Sequence, residues 1–204
     1  YLLARLDDGN VWITHLGMTG RWSILGAKRQ PGDFYYAEPT NPAHTHVVIE
    51  TDKGARLEFN DPRRFGSLLF TTGDPAAHPL LAALAPEPLG DSFDADYLWR
   101  ITRQRRVAVK QLIMNSRLVV GVGNIYASES LFHAGIRPQL AAHKLSLPRC
   151  AKLVQTIRDT LTASIKQGGS TLRDFTDSNG KPGYFQQSYF VYGRTGEPCK
   201  SCGT

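Results

Sequence analysis

The stretch LVVGVGNIYASESLFHAGIRP, residues 118–138, decides how the rest of the chain is read. An apolar, β-branched run breaks at Gly121-Val122-Gly123, and a helical pattern then runs from Asn124 to about Ala134, with Ile125, Ser128, Leu131 and Phe132 on one face. Asn124 is a good N-cap candidate, because its amide oxygen can accept from the first free backbone N–H groups. Two glycines ahead of a helix start allow an anion to approach backbone amides, and the helix dipole adds partial positive charge there. The pattern suits a phosphate seat, although an ordinary glycine turn before a helix has the same appearance. Downstream of Gly135 and Pro138 lies a polar connector, and Ser146 is expected to cap a second helix running to Gln167, with Leu153, Ile157, Leu161 and Ile165 at four-residue spacing. Gly168-Gly169 is the expected stop.

Upstream, the period is two. Val11 and Ile13, Val47 and Ile49, Leu57 and Phe59, and Leu68 and Phe70 alternate with polar or smaller residues, and 7–10 and 52–54 have hairpin-turn composition. An antiparallel sandwich with one sheet incomplete is expected over 1–72, with 25–44 as a long surface loop. Two glycine-bearing stretches interrupt it: His15-Leu16-Gly17-Met18-Thr19-Gly20-Arg21, and Asn60-Asp61-Pro62-Arg63-Arg64-Phe65-Gly66. Taken singly, Met18 and Phe65 could be core residues and the arginines solvated. A tight Pro/Gly turn makes a poor core, however, and Arg-Arg-Phe suits a tip that enters something stacked and anionic.

The segment 73–93, rich in Pro, Ala, Gly and Asp, is the expected linker. Asp94 then caps a helical region, and Arg100, Arg103, Arg105, Arg106 and Lys110 follow, either as a solvated face or as a basic surface. Lys110 stands apart, because its neighbours Val107 to Met114 are largely apolar and its amine must snorkel or meet an anion. Residues 170–185 are polar, glycine-punctuated and interleaved with aromatics, which predicts a mobile loop. Gln187 to Tyr192 reads as a strand, and Cys199-Lys200-Ser201-Cys202 after a glycine turn has the spacing of the first knuckle of a zinc-finger hairpin. A redox pair is the rival reading of those two thiols.

Composition limits the classes. The 204 residues carry a net charge of +6, are 41% hydrophobic and contain three cysteines. That favours a polyanionic partner and argues against a secreted disulfide framework. No apolar run approaches the ~20 residues a membrane span needs, and no signal peptide opens the chain, so a soluble intracellular protein is expected.

In their order along the chain, several motifs resemble the bacterial formamidopyrimidine-DNA glycosylase family, whose helix-two-turn-helix corresponds to 118–167. They are His15-Leu16-Gly17-Met18, Asp61-Pro62-Arg63-Arg64-Phe65-Gly66, the segment Leu84 to Leu89, Val119 to Glu129, Gly180-Lys181-Pro182-Gly183-Tyr184-Phe185, and Val191 to Cys199. The resemblance implies a multidomain α+β protein. It would comprise an incomplete β-sandwich catalytic domain (1–72), a linker (73–93), a helix-two-turn-helix DNA-binding domain with a lesion loop (94–185) and a partial zinc finger (186–204).

It also implies a monomeric base-excision repair enzyme of the bacterial cytoplasm and nucleoid. Such an enzyme acts on double-stranded DNA holding oxidised purines, such as 8-oxoguanine and formamidopyrimidines, or abasic sites. It excises the base by Schiff-base chemistry and cleaves the strand by β,δ-elimination. By similarity Met18, Arg63 and Phe65 fill the hole left by the flipped base, with Arg63 facing the orphaned cytosine. His15, Asn124 and Tyr192 look like phosphate contacts, Lys110 like a contact near the lesion nucleotide, and Arg173 like part of the loop over the flipped base. Cys199 and Cys202 would hold half of a zinc site. The family's nucleophilic N-terminal proline, its adjacent glutamate and a lysine following the first strands are not among these residues, so no catalytic residue is expected here and the chain reads as the recognition portion. The alternatives are the sister glycosylase for oxidised pyrimidines and a non-enzymatic DNA-binding zinc-ribbon module.

Overall fold

The computed structural model describes residues 1–26, 41–166 and 189–204. It divides into two compact units, Tyr1–Ala82 and Ala83–Thr204, and the division falls inside the stretch 73–93.

The first unit holds two three-stranded antiparallel sheets. One has the order β1 (Leu2–Arg5), β2 (Val11–His15), β6 (Ser67–Thr71). The other has the order β3 (Arg21–Leu25), β5 (Arg56–Asn60), β4 (Thr45–Glu50), with a register shift between Thr45 and Val47. Alternation decides which side chains turn inward: Val11 and Ile13 of β2 are fully buried, as is most of Phe59 on β5. Trp22 of β3 lies against Phe59, with ring centroids 5.1 Å apart, and its indole N–H donates to Thr14 Oγ1 of the other sheet at 3.4 Å. Thr14 in turn donates to the Ser67 carbonyl, so a hydroxyl on a buried strand is satisfied from both sides. A single turn, α1 (Pro79–Ala82), closes the unit.

The second unit is helical: α2 (Ala95–Thr102), α3 (Val109–Ile113), α4 (Asn124–Ala134) and α5 (Leu147–Lys166). Asp94 caps α2 as expected, its carboxylate accepting from the Tyr97 N–H at 2.7 Å. In the main core cluster α5 residues Leu153, Ile157 and Leu161 meet Leu98, Leu112, Val119 and Leu131, and Ile125 with Tyr189 forms a second, smaller one. The Ser146 carbonyl accepts the first bond of α5 from Cys150 at 2.9 Å, and Gly135, at φ +67°, terminates α4 in the left-handed conformation that glycine adopts without a Cβ clash. The three N–H donations of Arg158 to the carbonyls of Pro88, Gly90 and Phe93 tie the incoming segment to α5.

Three sequence expectations require correction. Gly123 occupies the N-cap of α4 in extended conformation, and Asn124 is the first helical residue, so its side chain caps nothing. Residues 189–192 form bends and turns rather than the end of a strand, because their backbone donors are taken by a side chain described below. The buried face of α4 is wider than expected and includes Ala127, Ser130 and, unusually, Glu129, while Ser128 donates to the Asn124 carbonyl. The loop 27–40, the glycine stop at 168–169, the aromatic-rich loop and Arg173 lie outside the described residues.

Candidate nucleic-acid interface

In the first unit the β2–β3 and β5–β6 loops are clipped together by Asp61. Its carboxylate is 1% exposed and accepts from the Thr19 hydroxyl at 2.5 Å and from the Gly66 N–H at 2.7 Å. Its carbonyl accepts from His46 Nε2 at 2.9 Å, and Thr19 Oγ1 also accepts from the Arg63 N–H. Burial pushes the Asp61 carboxyl up, but the Thr19 hydroxyl and the Gly66, Arg63 and Arg64 amides outweigh burial and hold it below its ordinary value. Backbones mesh closely here. A Cβ on Gly17, at φ +63°, would stand 2.6 Å from the Phe65 carbonyl carbon, and one on Gly66 would stand 2.6 Å from the Phe59 ring. Arg64 adopts φ +57°, the one non-glycine in the left-handed region among the described residues, which turns the chain sharply between Arg63 and Phe65.

The clip leaves its apolar tips in solvent. Met18 is 54% exposed and Phe65 58%, so neither is a core residue. The Arg63 guanidinium stands 4.9 Å from the Phe65 ring centroid, a cation–π contact that organises two exposed side chains as one tip. His15 is exposed beside this region, and its Nδ1 accepts from the Gly17 N–H at 3.1 Å. A ring nitrogen that accepts this bond carries no proton, so a neutral imidazole holds its proton on Nε2. Met18, Arg63 and Phe65 therefore belong to one pair of joined loops, and His15 ends the strand that leads into them.

In the second unit, Asn124 is exposed at the start of α4, with open space where Gly121 or Gly123 would carry a Cβ. Lys110 is half-buried on α3, its backbone N–H donating to the Pro138 carbonyl at 3.2 Å, and its amine has no partner among the described residues. Tyr192 is half-buried, with its ring edge-on to Tyr189 at 5.8 Å. The arginine run is partly structural. Arg103 lies over the Trp99 ring and donates to the Trp99 and Leu145 carbonyls, and Arg105 donates to the Ile101 carbonyl at 2.7 Å, so both satisfy carbonyls around the end of α2.

Cys199 and Cys202 sit on a turn in which the Cys199 N–H donates to the Thr204 carbonyl and the Gly203 N–H to the Cys199 carbonyl, each at 2.8 Å. The Thr204 hydroxyl, its backbone and the Cys199 side chain draw the Cys202 thiol below its ordinary value. No cluster of three or more metal-binding side chains occurs among the described residues.

Two further residues shape these surfaces, Asp61 and Glu129, and neither stands out in the sequence as a site residue. The Glu129 carboxylate, 3% exposed, accepts from the backbone N–H groups of Phe190, Val191 and Tyr192 at 2.8, 3.0 and 2.8 Å. In the sequence Glu129 stands between Ser128 and Ser130 and reads as part of a solvated face.

Comparison with known proteins agrees with this architecture over both units. The family model for the formamidopyrimidine-DNA glycosylase N-terminal domain matches residues 1–68, and that for the formamidopyrimidine-DNA glycosylase H2TH domain matches residues 84–176. The formamidopyrimidine-DNA glycosylase of Thioalkalivibrio sulfidiphilus is 53% identical over 206 residues, covering 100% of this chain and 71% of that protein. Among solved structures, Lactococcus lactis Fpg in complex with abasic-site DNA has a TM-score of 0.81 at 30% identity, covering 100% of this chain and 71% of that one. A structure of MutM with DNA containing carbocyclic 8-oxo-G has a TM-score of 0.79 at 30% identity, with the same two shares. A β unit carrying an exposed Arg-Phe tip, followed by a helix-two-turn-helix unit, is thus the arrangement of a DNA-lesion glycosylase. The chain belongs to the formamidopyrimidine-DNA glycosylase family.

Proposed function

We propose that this protein serves base-excision repair of oxidised purines as a DNA glycosylase with abasic-site lyase activity, and that the residues described here read the damaged duplex. The observation carrying this reading is the Asp61 clip, which holds exposed Met18, Arg63 and Phe65 on two joined loops. A base buried in a duplex stack is out of reach, so it must be turned out, and that costs a few kcal/mol for unstacking and unpairing. A preformed tip offsets part of this cost. Phe65 and Met18 replace lost stacking, and the Arg63 guanidinium offers donors to the acceptor edge of the base left without a partner. The Arg63–Phe65 contact makes both side chains ready before DNA arrives, which reduces the entropy lost on binding.

Holding the strand open falls to phosphate contacts. His15 presents Nε2–H; Asn124 presents its amide beside the free N–H groups of the α4 start; Tyr192 presents a phenol. Lys110, half-buried among apolar neighbours, gains most from an anion close to the lesion nucleotide. Arg173 belongs to the same reading as a residue of the loop over the flipped base. Cys199 and Cys202 would supply two of the four ligands of a tetrahedral zinc site; the ion's contribution is structural, closing a small hairpin with too little core to fold alone. A DNA substrate places the protein in the bacterial cytoplasm with the nucleoid, and no described helix is long and apolar enough to cross a membrane.

The test is binding of this chain to duplexes containing 8-oxoguanine opposite cytosine and to duplexes containing thymine glycol. Preference for 8-oxoguanine supports the purine reading. Preference for thymine glycol assigns the protein to oxidised pyrimidines instead.

A further inference from the structure

A buried carboxylate must be compensated, because removing its water without replacement costs several kcal/mol. Glu129 has no cationic partner among its hydrogen bonds: Oε1 accepts from the Val191 and Tyr192 N–H groups and Oε2 from that of Phe190, across 61 to 63 residues of sequence. Three successive backbone donors converging on one acceptor fix the path of a segment that belongs to no helix or strand. Around this clamp the Phe190 ring packs against Phe132, with centroids 5.6 Å apart, and edge-on to His133 at 4.7 Å. Arg194 extends the order outward, donating to the Phe190 and Pro198 carbonyls and to Glu197. Asn124 opens the same helix five residues earlier, a rise of about 7.5 Å.

We infer that Glu129 is a positioning residue for DNA binding: it fixes Tyr192 relative to the α4 start, so that Tyr192 and Asn124 present themselves to the phosphate backbone at a set spacing. This rests on the reading of Tyr192 as a phosphate contact. Glutamine at position 129 keeps the shape but turns an NH2 group toward backbone donors, so one or two of the three bonds are lost. A pre-set distance between two contacts is then replaced by a loop that must be ordered on binding.

The first measurement is amide hydrogen exchange on the wild-type protein. Protection at Phe190, Val191 and Tyr192, outside regular secondary structure, is expected, and exchange at the rate of a free loop overturns the clamp without any variant being made. Affinity for a duplex holding a tetrahydrofuran abasic analogue is then measured for Glu129→Gln, Tyr192→Phe and the double variant. Each single change is expected to weaken binding about three- to tenfold, with the double variant no weaker than the worse single. Two fully additive losses, or a Glu129→Gln variant that loses protection yet binds like wild type, overturn the positioning role. If Tyr192→Phe binds normally while Glu129→Gln does not, the phosphate reading of Tyr192 fails and the inference fails with it, leaving the clamp as an element of stability alone.

Discussion

The Asp61 carboxylate accepts from the hydroxyl of Thr19, 42 residues earlier in the chain, at 2.5 Å, and this bond, with the Arg63 N–H donating to the same hydroxyl, joins the loop bearing Met18 to the loop bearing Arg63 and Phe65. With the Gly66 N–H on the other oxygen, both loops depend on a single buried carboxylate. Replacing Asp61 with alanine leaves a hydroxyl and an amide without their acceptor, each worth roughly 1–3 kcal/mol when buried. Asp61→Ala should therefore lower stability by about 2–4 kcal/mol in urea unfolding, and loosen the tip.

Asp61 also sets a pH dependence. Its folded-state carboxyl lies below its ordinary value, so the folded protein holds this proton less tightly than the unfolded chain does. Stability from this source is complete above the unfolded value of about 3.9 and is lost as pH falls through the folded value. The difference in unfolding free energy between wild type and Asp61→Asn should stay level from about pH 7 to 5 and narrow below about pH 4. A difference that widens with acid would contradict the clip.

Gly17 is constrained twice, by φ +63° and by the Phe65 backbone 2.6 Å from where a Cβ would lie. Gly17→Ala should cost at least about 1–2 kcal/mol from conformation alone, before the two loops are forced apart. The thermal midpoint should drop, and preference for abasic-analogue over intact duplex should fall with it. A loss of stability with full preference retained would separate the loop junction from lesion reading.

Asn124 has a different signature. Its amide is exposed and caps nothing in the protein, so Asn124→Ala should leave the thermal midpoint nearly unchanged. Affinity should fall alike for intact, abasic and oxidised duplexes, because phosphate contacts carry no lesion information. An effect confined to one lesion would move Asn124 from the backbone to the base.

Much of this organisation is legible in the sequence, for a physical reason. Val11 and Ile13, or Leu57 and Phe59, show a strand because side-chain direction alternates locally, and Asp94 shows a helix start because a cap bonds only a few residues ahead. The exposed tip is legible because Pro and Gly at 62 and 66 leave Phe65 no place in a strand core. Asp61 and Glu129 escape because their partners are far along the chain. An Asp before Pro looks like a turn residue, and a Glu in a helix looks like part of a solvated face. The same distance effect explains 189–192: apolar and aromatic residues suggest a ladder, but Glu129 takes the donors that a neighbouring strand would need.

The most direct measurement is the affinity of this chain for a duplex carrying a tetrahydrofuran abasic analogue opposite cytosine, set against the same duplex intact, for wild type and Arg63→Ala. A tip that fills the hole of a missing base predicts wild-type preference for the abasic duplex of at least about tenfold, most of it lost in Arg63→Ala while binding to intact duplex changes little. Equal wild-type affinity for the two duplexes, or equal losses on both in the variant, would contradict lesion reading by the Met18, Arg63 and Phe65 tip and leave a chain that binds DNA through its backbone alone.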